Sequence, residues 1–210
     1  MILYQIAAFS ENFALGKDNK LLWHHSEDLK FFKQQTLSKI IFVGRLVNGK
    51  NFEKWMSVAT FLLKNGITAT FEIYGTGPYE QELKKQIQAS GFGDRIKLKG
   101  YKKEIEEVYK SADLLLFLSG YESFGNVVVE SILCGTPVIT FDIPSMKEIF
   151  KEYPEFLVEN NEQYQKDIYD KVNKISFLKN VAVKASSDFS QRFGSISHIS
   201  KLEAIYNELS

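Results

Sequence analysis

The chain has 210 residues, 44% hydrophobic and 14% aromatic, with Gly 13 and Pro 4, a composition that excludes disorder and collagen and suffices for one well-packed domain. Lys+Arg 26 balance Asp+Glu 26, so no overall basic field exists to hold nucleic acid or anionic lipid, and any anion site has to be local. The single cysteine, Cys134, cannot close an intramolecular disulfide, and no apolar run reaches the ~20 residues of a membrane span. The opening Met1 to Phe9 lacks a basic signal region, so the chain reads as cytoplasmic with no transmembrane segment.

In chain order, the first expected element is a strand from Ile2 to Ala8. A loop rich in Gly, Asn and Lys follows from Ser10 to His25, then a helix from about Glu27 to Gln35 with Ser26 as its cap. From residue 40 short apolar runs predict strands at Ile40 to Val43, Thr70 to Tyr74, Ile96 to Leu98, Leu114 to Leu118, Val138 to Phe141 and, more weakly, Phe156 to Val158. Amphipathic stretches between them predict helices at Glu53 to Lys64, Glu80 to Ala89, Ile105 to Lys110 and Asn126 to Leu133. Apolar strands alternating with helices mean a doubly wound, Rossmann-like parallel sheet covered on both faces. After Pro154 the pattern turns helical, at Glu162 to Lys174, Phe177 to Phe193 and Ile196 to Leu209, which predicts a C-terminal helical cap.

Three segments stand out chemically. Glu122-Ser123-Phe124-Gly125-Asn126 follows an apolar strand and opens a helix that carries Glu130, the place where open α/β sheets bind ligands. Backbone N–H groups of Phe124, Gly125 and Asn126 would point at a phosphate, Gly125 leaves room for it, and the two glutamates could flank a diphosphate and accept sugar hydroxyls. By spacing alone, an acidic helix start and a solvated helical glutamate remain the alternative. Gly44-Arg45-Leu46-Val47-Asn48-Gly49-Lys50 sets two cations on a loop after another strand. It matches a P-loop up to Asn51, which stands where Ser or Thr would hold Mg²⁺, and a plain charged surface loop is the other reading. Tyr74-Gly75-Thr76-Gly77-Pro78 is a strand-to-helix turn without the third glycine of a dinucleotide fingerprint, and is read as structural. No metal site is expected, since His24 and His25 are adjacent and His198 stands alone, and Cys134 reads as a buried helix end.

Residues from about Ile40 to Leu209 resemble the C-terminal, donor-binding half of retaining glycosyltransferases of the GT-B fold, the family 4 group. The resemblance rests on Val43-Gly44-Arg45-Leu46 with Lys50, Tyr74 to Pro78, Leu98-Lys99-Gly100-Tyr101, Ser111-Ala112-Asp113-Leu114, the pair Glu122 and Glu130, and Gly135-Thr136-Pro137-Val138-Ile139. It implies a nucleoside diphosphate sugar as donor substrate with no further cofactor. Arg45, Lys50 and Glu122 would be the catalytic set, the two cations neutralising the diphosphate and Glu122 contacting the sugar. Gly44, Ser123, Phe124, Gly125, Asn126 and Glu130 would bind the donor, with Glu130 on the ribose. The acceptor domain of that family has no counterpart here, so the chain is expected to be inactive alone.

Residues 1 to about 39 are similar to the start of dihydrofolate reductase, on Ile6-Ala7-Ala8, Leu15-Gly16, Leu22-Trp23, Asp28-Leu29, Phe31-Phe32-Lys33 and Thr36-Leu37. That resemblance implies Ala8, Asp28 and Phe32 near pterin or nicotinamide. Together the two describe a chimera with a boundary at residues 39 and 40. Alternatives are a non-catalytic, natural or engineered α/β scaffold, residual NADPH or folate binding, and a P-loop-like nucleotide hydrolase. The glycosyltransferase resemblance implies that strand 40 to 43 is central, paired on both sides by later strands. An apolar strand at 2 to 8 could then only join a sheet edge or displace a native neighbour, and unless it finds an edge within the fold it would favour a homodimer or poor solubility.

Overall fold

The structure, a computed structural model, describes residues 37–193. The strand expected at 2 to 8 with its proposed dimer, the helices at 27 to 35 and 196 to 209, residues Ala8, Asp28 and Phe32, and all three histidines lie outside the described residues.

Six strands are described: β1 (Lys39–Val43), β2 (Thr70–Tyr74), β3 (Ile96–Gly100), β4 (Leu114–Phe117), β5 (Val138–Phe141) and β6 (Leu157–Val158). They form one all-parallel sheet in the order β3-β2-β1-β4-β5-β6. Ile40 to Val43 of β1 and every residue of β4 and β5 are buried, so both faces of these strands are covered, which is why they read as unbroken apolar runs. β1 is central, paired with β2 on one side and β4 on the other, as the resemblance to the glycosyltransferase half implies. At the sheet's edge β3 alternates instead, with Ile96 buried and Lys97 and Lys99 turned outward. It runs two residues beyond Leu98, because Gly100 pairs with Tyr74 across an irregularity at Ile73/Tyr74.

The helices are α1 (Phe52–Lys64), α2 (Glu80–Ser90), α3 (Ile105–Ser111), α4 (Asn126–Leu133), α5 (Pro144–Ile149), α6 (Tyr164–Val172) and α7 (Ile175–Phe193). α5 was not expected from the sequence; six residues opened by Pro144 are too few to show a helical period. Residue 156, expected in a strand, belongs to a 3-10 turn, Pro154–Phe156, ahead of the two-residue β6. The cap helices are real but differently bounded: α6 is shorter than 162 to 174, and α7 starts two residues before Phe177. Cys134 is the half-buried residue that ends α4 rather than a core residue, and burial pushes its thiol above the ordinary value.

One polar network ties the first strand to the cap. Asp113, 6% exposed, accepts the backbone N–H groups of Ser38 (2.7 Å) and Lys39 (2.9 Å) on one oxygen and the Lys179 ammonium of α7 (2.7 Å) on the other. Trp55 of α1 is fully buried and donates its indole N–H to the Leu116 carbonyl of β4 at 3.0 Å. These bonds fix β1 and β4 against each other at the place where the strand order reverses.

Candidate active site

In the order β3-β2-β1-β4-β5-β6 the chain leaves β1 and β4 towards opposite halves of the sheet, so a crevice opens beyond their carboxyl ends. The loops that follow these two strands, 44 to 51 and 118 to 125, carry most of the residues singled out from the sequence. Gly49 joins them: its carbonyl accepts the N–H of Gly120 (3.2 Å) and the Ser119 hydroxyl (3.2 Å). Asn51 takes a left-handed conformation (φ 51) to turn the chain into α1, a backbone region asparagine tolerates well.

This arrangement brings Lys50 and Glu122 together, 72 residues apart in the chain, as an ion pair. Both side chains are largely enclosed, 18% and 14% exposed, so solvent screens the pair less than at an open surface. The Lys50 ammonium also stands 5.2 Å from the Phe117 ring centroid. Arg45 is exposed and, among the described residues, has no ion-pair partner. Its side borders a cavity of about 320 Å³ beyond β1, β2 and β3, lined also by Gly44, Tyr74, Thr76, Tyr101 and Lys103. Tyr101 is 75% exposed and offers an aromatic face at its mouth.

The 44 to 50 loop is a poor phosphate nest. Four of its seven N–H groups are already used, Gly44 on Tyr74 O (3.0 Å), Leu46 on Thr76 O (2.9 Å), Val47 on Arg45 O (3.1 Å) and Lys50 on Val47 O (3.3 Å), and Leu46 is fully buried, so among the described residues only Arg45, Asn48 and Gly49 keep an N–H without an acceptor. The loop after β4 is different. Among the described residues the N–H groups of Phe124, Gly125 and Asn126 have no intramolecular acceptor, and they stand at the start of α4. Gly125 has φ 100, and a Cβ there would lie 2.5 Å from Met146 Cε of α5. The glycine therefore serves the packing beneath the loop as well as the space above it. Ser123 is exposed, and Glu130 lies on α4 with its carboxylate accepting the Tyr109 hydroxyl at 2.9 Å.

Two contributors escaped the sequence analysis. The turn after β2, read as structural, holds the Arg45 loop: Gly75 and Gly77 press against the carbonyls of Gly44 and Leu46 so closely that a Cβ would fall 1.8 and 2.3 Å away. At the other end, Phe193 closes on Phe124 edge to face (5.7 Å between centroids), while the Arg192 guanidinium stands 4.9 Å from the Phe193 ring and donates to Ile149 O at 3.2 Å. The end of α7 thus buttresses the Ser123 to Asn126 segment. Truncating Phe193 to alanine removes roughly 1 kcal/mol of aromatic contact from that loop. We expect the backbone amides of Phe124 to Asn126 to exchange about fivefold faster in Phe193→Ala than in the wild type, read by hydrogen–deuterium exchange.

Among the described residues no group of three or more His, Cys, Asp or Glu side chains is placed to hold a metal ion, and no helix is long and apolar enough to cross a membrane.

Fold and site define a Rossmann-like α/β domain with a cation and carboxylate pair at its switch point. The chain belongs to the glycosyl transferases group 1 family, whose sequence pattern matches residues 26–190. The match takes in residues 26 to 39, which also carry part of the reductase resemblance. Among curated relatives it is 31% identical over 125 residues to the GtfA subunit of a UDP-N-acetylglucosamine--peptide N-acetylglucosaminyltransferase from Streptococcus parasanguinis, covering 59% of this chain and 25% of that protein. It is 28% identical over 154 residues to a poly(ribitol-phosphate) alpha-N-acetylglucosaminyltransferase from Staphylococcus aureus, covering 72% and 30%. The chain therefore spans well under two thirds of these relatives. Among solved structures it resembles S. aureus TarM in a complex that includes UDP, with TM-score 0.71 and 25% identity over 82% of this chain and 35% of TarM. HepE of Anabaena with UDP-glucose shares the fold at TM-score 0.72 and 21% identity, over 87% and 52%.

Proposed function

We propose that the chain is the donor-binding part of a retaining glycosyltransferase and takes a nucleoside diphosphate sugar, with a uridine nucleotide as the first candidate. The observation that carries this is the Lys50–Glu122 pair at the switch point, beside backbone N–H groups with no acceptor of their own. The UDP and UDP-glucose named with the TarM and HepE structures support the choice of base. In this reading the cavity beside Arg45 and Tyr101 takes the nucleoside, and Arg45 and Lys50 neutralise the diphosphate. The Phe124 to Asn126 N–H groups receive its oxygens, Glu122 contacts the sugar, and Glu130 holds the ribose. Lys50, held by its ion pair, and the exposed Arg45 stabilise the leaving diphosphate as charge develops on it, so the role often given to a metal ion falls to side chains. A cytoplasmic setting is part of the same proposal, supported by a single cysteine in this sequence.

A thermal-shift panel of UDP-, GDP- and ADP-sugars, the bare diphosphates, NADPH and an antifolate tests the reading. A ligand at ~100 times its dissociation constant adds about 2.7 kcal/mol, or several degrees at this size. The expected outcome is a shift with one sugar nucleotide and its diphosphate, unchanged by EDTA. A shift with NADPH or antifolate alone would overturn the donor assignment, and a shift abolished by EDTA would overturn the metal-independent one.

A further inference from the structure

We propose that Tyr109 is a positioning residue for Glu130, holding its carboxylate in the orientation that receives the vicinal ribose hydroxyls of the donor. The inference rests on the reading that Glu130 faces the ribose and adds to it the group that sets the carboxylate in place.

Tyr109 is on α3 and Glu130 on α4, so a contact between helices, not local chain geometry, brings them together. The phenol donates to Glu130 Oε2 at 2.9 Å, since an ionised carboxylate only accepts. Tyr109 is 1% exposed and rigidly seated: its carbonyl accepts the Thr136 hydroxyl at 2.7 Å and the Ala112 N–H at 2.9 Å. Burial, with the negative charge of Glu130 next in weight, raises the phenol well above its ordinary value, so it remains a donor at neutral pH. Glu130 by contrast is exposed, and among the described residues its side chain has no other hydrogen-bond or ion-pair partner.

A glutamate on an open helix face samples several rotamers, and ordering it on ligand binding costs affinity. The Tyr109 hydroxyl removes much of that cost before the ligand arrives. One of the carboxylate's roughly four lone-pair sites is taken, leaving enough for two adjacent hydroxyls. A pre-positioned acceptor gains its full hydrogen bonds only from a ligand that offers both hydroxyls, since the cost of orienting it is already met. Tyr109 therefore contributes to preference for ribose over 2′-deoxyribose without touching the ligand.

The test is calorimetric titration of UDP and 2′-deoxy-UDP, or the same pair for whichever base the panel selects, against wild type, Tyr109→Phe and Glu130→Ala. Wild type should favour UDP by about tenfold, the worth of one hydrogen bond to a charged group. Tyr109→Phe should lower UDP affinity by about threefold to fivefold, leave 2′-deoxy-UDP nearly unchanged, and so compress the preference to about twofold to threefold. Glu130→Ala should abolish it. If Tyr109→Phe keeps the wild-type ratio while Glu130→Ala loses it, the positioning role is overturned and the ribose reading stands. A lowered unfolding midpoint with an unchanged ratio assigns Tyr109 to the core alone and overturns the proposal as well. If Glu130→Ala keeps the ratio, or wild type binds neither nucleotide, the underlying reading falls and takes this inference with it.

Discussion

Replacing Lys50 with alanine is expected to weaken UDP binding about 30-fold while changing uridine binding by less than about twofold. A hydrogen bond to a charged group contributes roughly 1.5–3 kcal/mol, and about 2 kcal/mol is a factor of about 30. The variant removes the cation and also leaves the Glu122 carboxylate, 14% exposed, without its partner beside the incoming diphosphate. Part of the loss is therefore repulsion that Lys50 masks in the wild type. Lys50→Ala/Glu122→Gln should then bind bare UDP better than Lys50→Ala alone, a coupling that a double-mutant cycle measures. Arg45→Ala is the companion measurement. Arg45 is exposed and has no ion-pair partner among the described residues, so its loss should lower UDP affinity without moving the unfolding midpoint, whereas Lys50→Ala should lower both. Equal losses for uridine and UDP would remove Lys50 from the diphosphate site.

The same pair shows how far the sequence could be read. Lys50 and Glu122 each stood out because a strand end and a following helix are where a parallel sheet binds ligands. Their mutual contact was not legible, because it spans 72 residues and depends on which strand lies next to β1. β1, β4 and β5 were legible because burial on both faces leaves an unbroken apolar run, whereas the central place of β1 came from the family resemblance and not from that pattern, which β4 and β5 share. β3 was cut short at Leu98, since Lys99 and Gly100 look like a turn until Tyr74 pairs with Gly100. Tyr109 passed as one more apolar position of an amphipathic helix, because its hydroxyl acquires meaning only when α3 meets α4. Phe193 met the same fate at the end of a cap helix. In each case local pattern reports which face is buried, while the missing fact is which neighbour that face meets.

The largest loss of stability is expected from Gly75→Ala, at a position the sequence marked only as a tight turn. A Cβ there would lie 1.8 Å from Gly44 O and 2.9 Å from Gly44 C, with φ at 139, so the variant meets both a backbone clash and backbone strain. Neither strand end can easily yield. The Gly44 N–H is bonded to Tyr74 O at 3.0 Å, and the Gly75 N–H is bonded to Gly100 O at 2.8 Å, so relief on one side breaks pairing on the other. We expect a cost above about 3 kcal/mol, the range reserved for backbone and packing failures, and a fall in the unfolding midpoint of about 10 °C. Gly66→Ala is the reference for a positive-φ glycine without a clash. Gly66 also has positive φ, 86, but nothing lies within 4 Å of its Cβ position, so it carries the strain alone, about 1–2 kcal/mol. The excess of Gly75→Ala over Gly66→Ala combines the close approach of the two turns with the greater backbone strain at φ 139. Because the displaced backbone is that of Gly44, next to Arg45, UDP affinity measured below the transition should fall for Gly75→Ala and hold for Gly66→Ala. Equal midpoints for the two variants would mean that the turn after β2 does not hold the Arg45 loop in place.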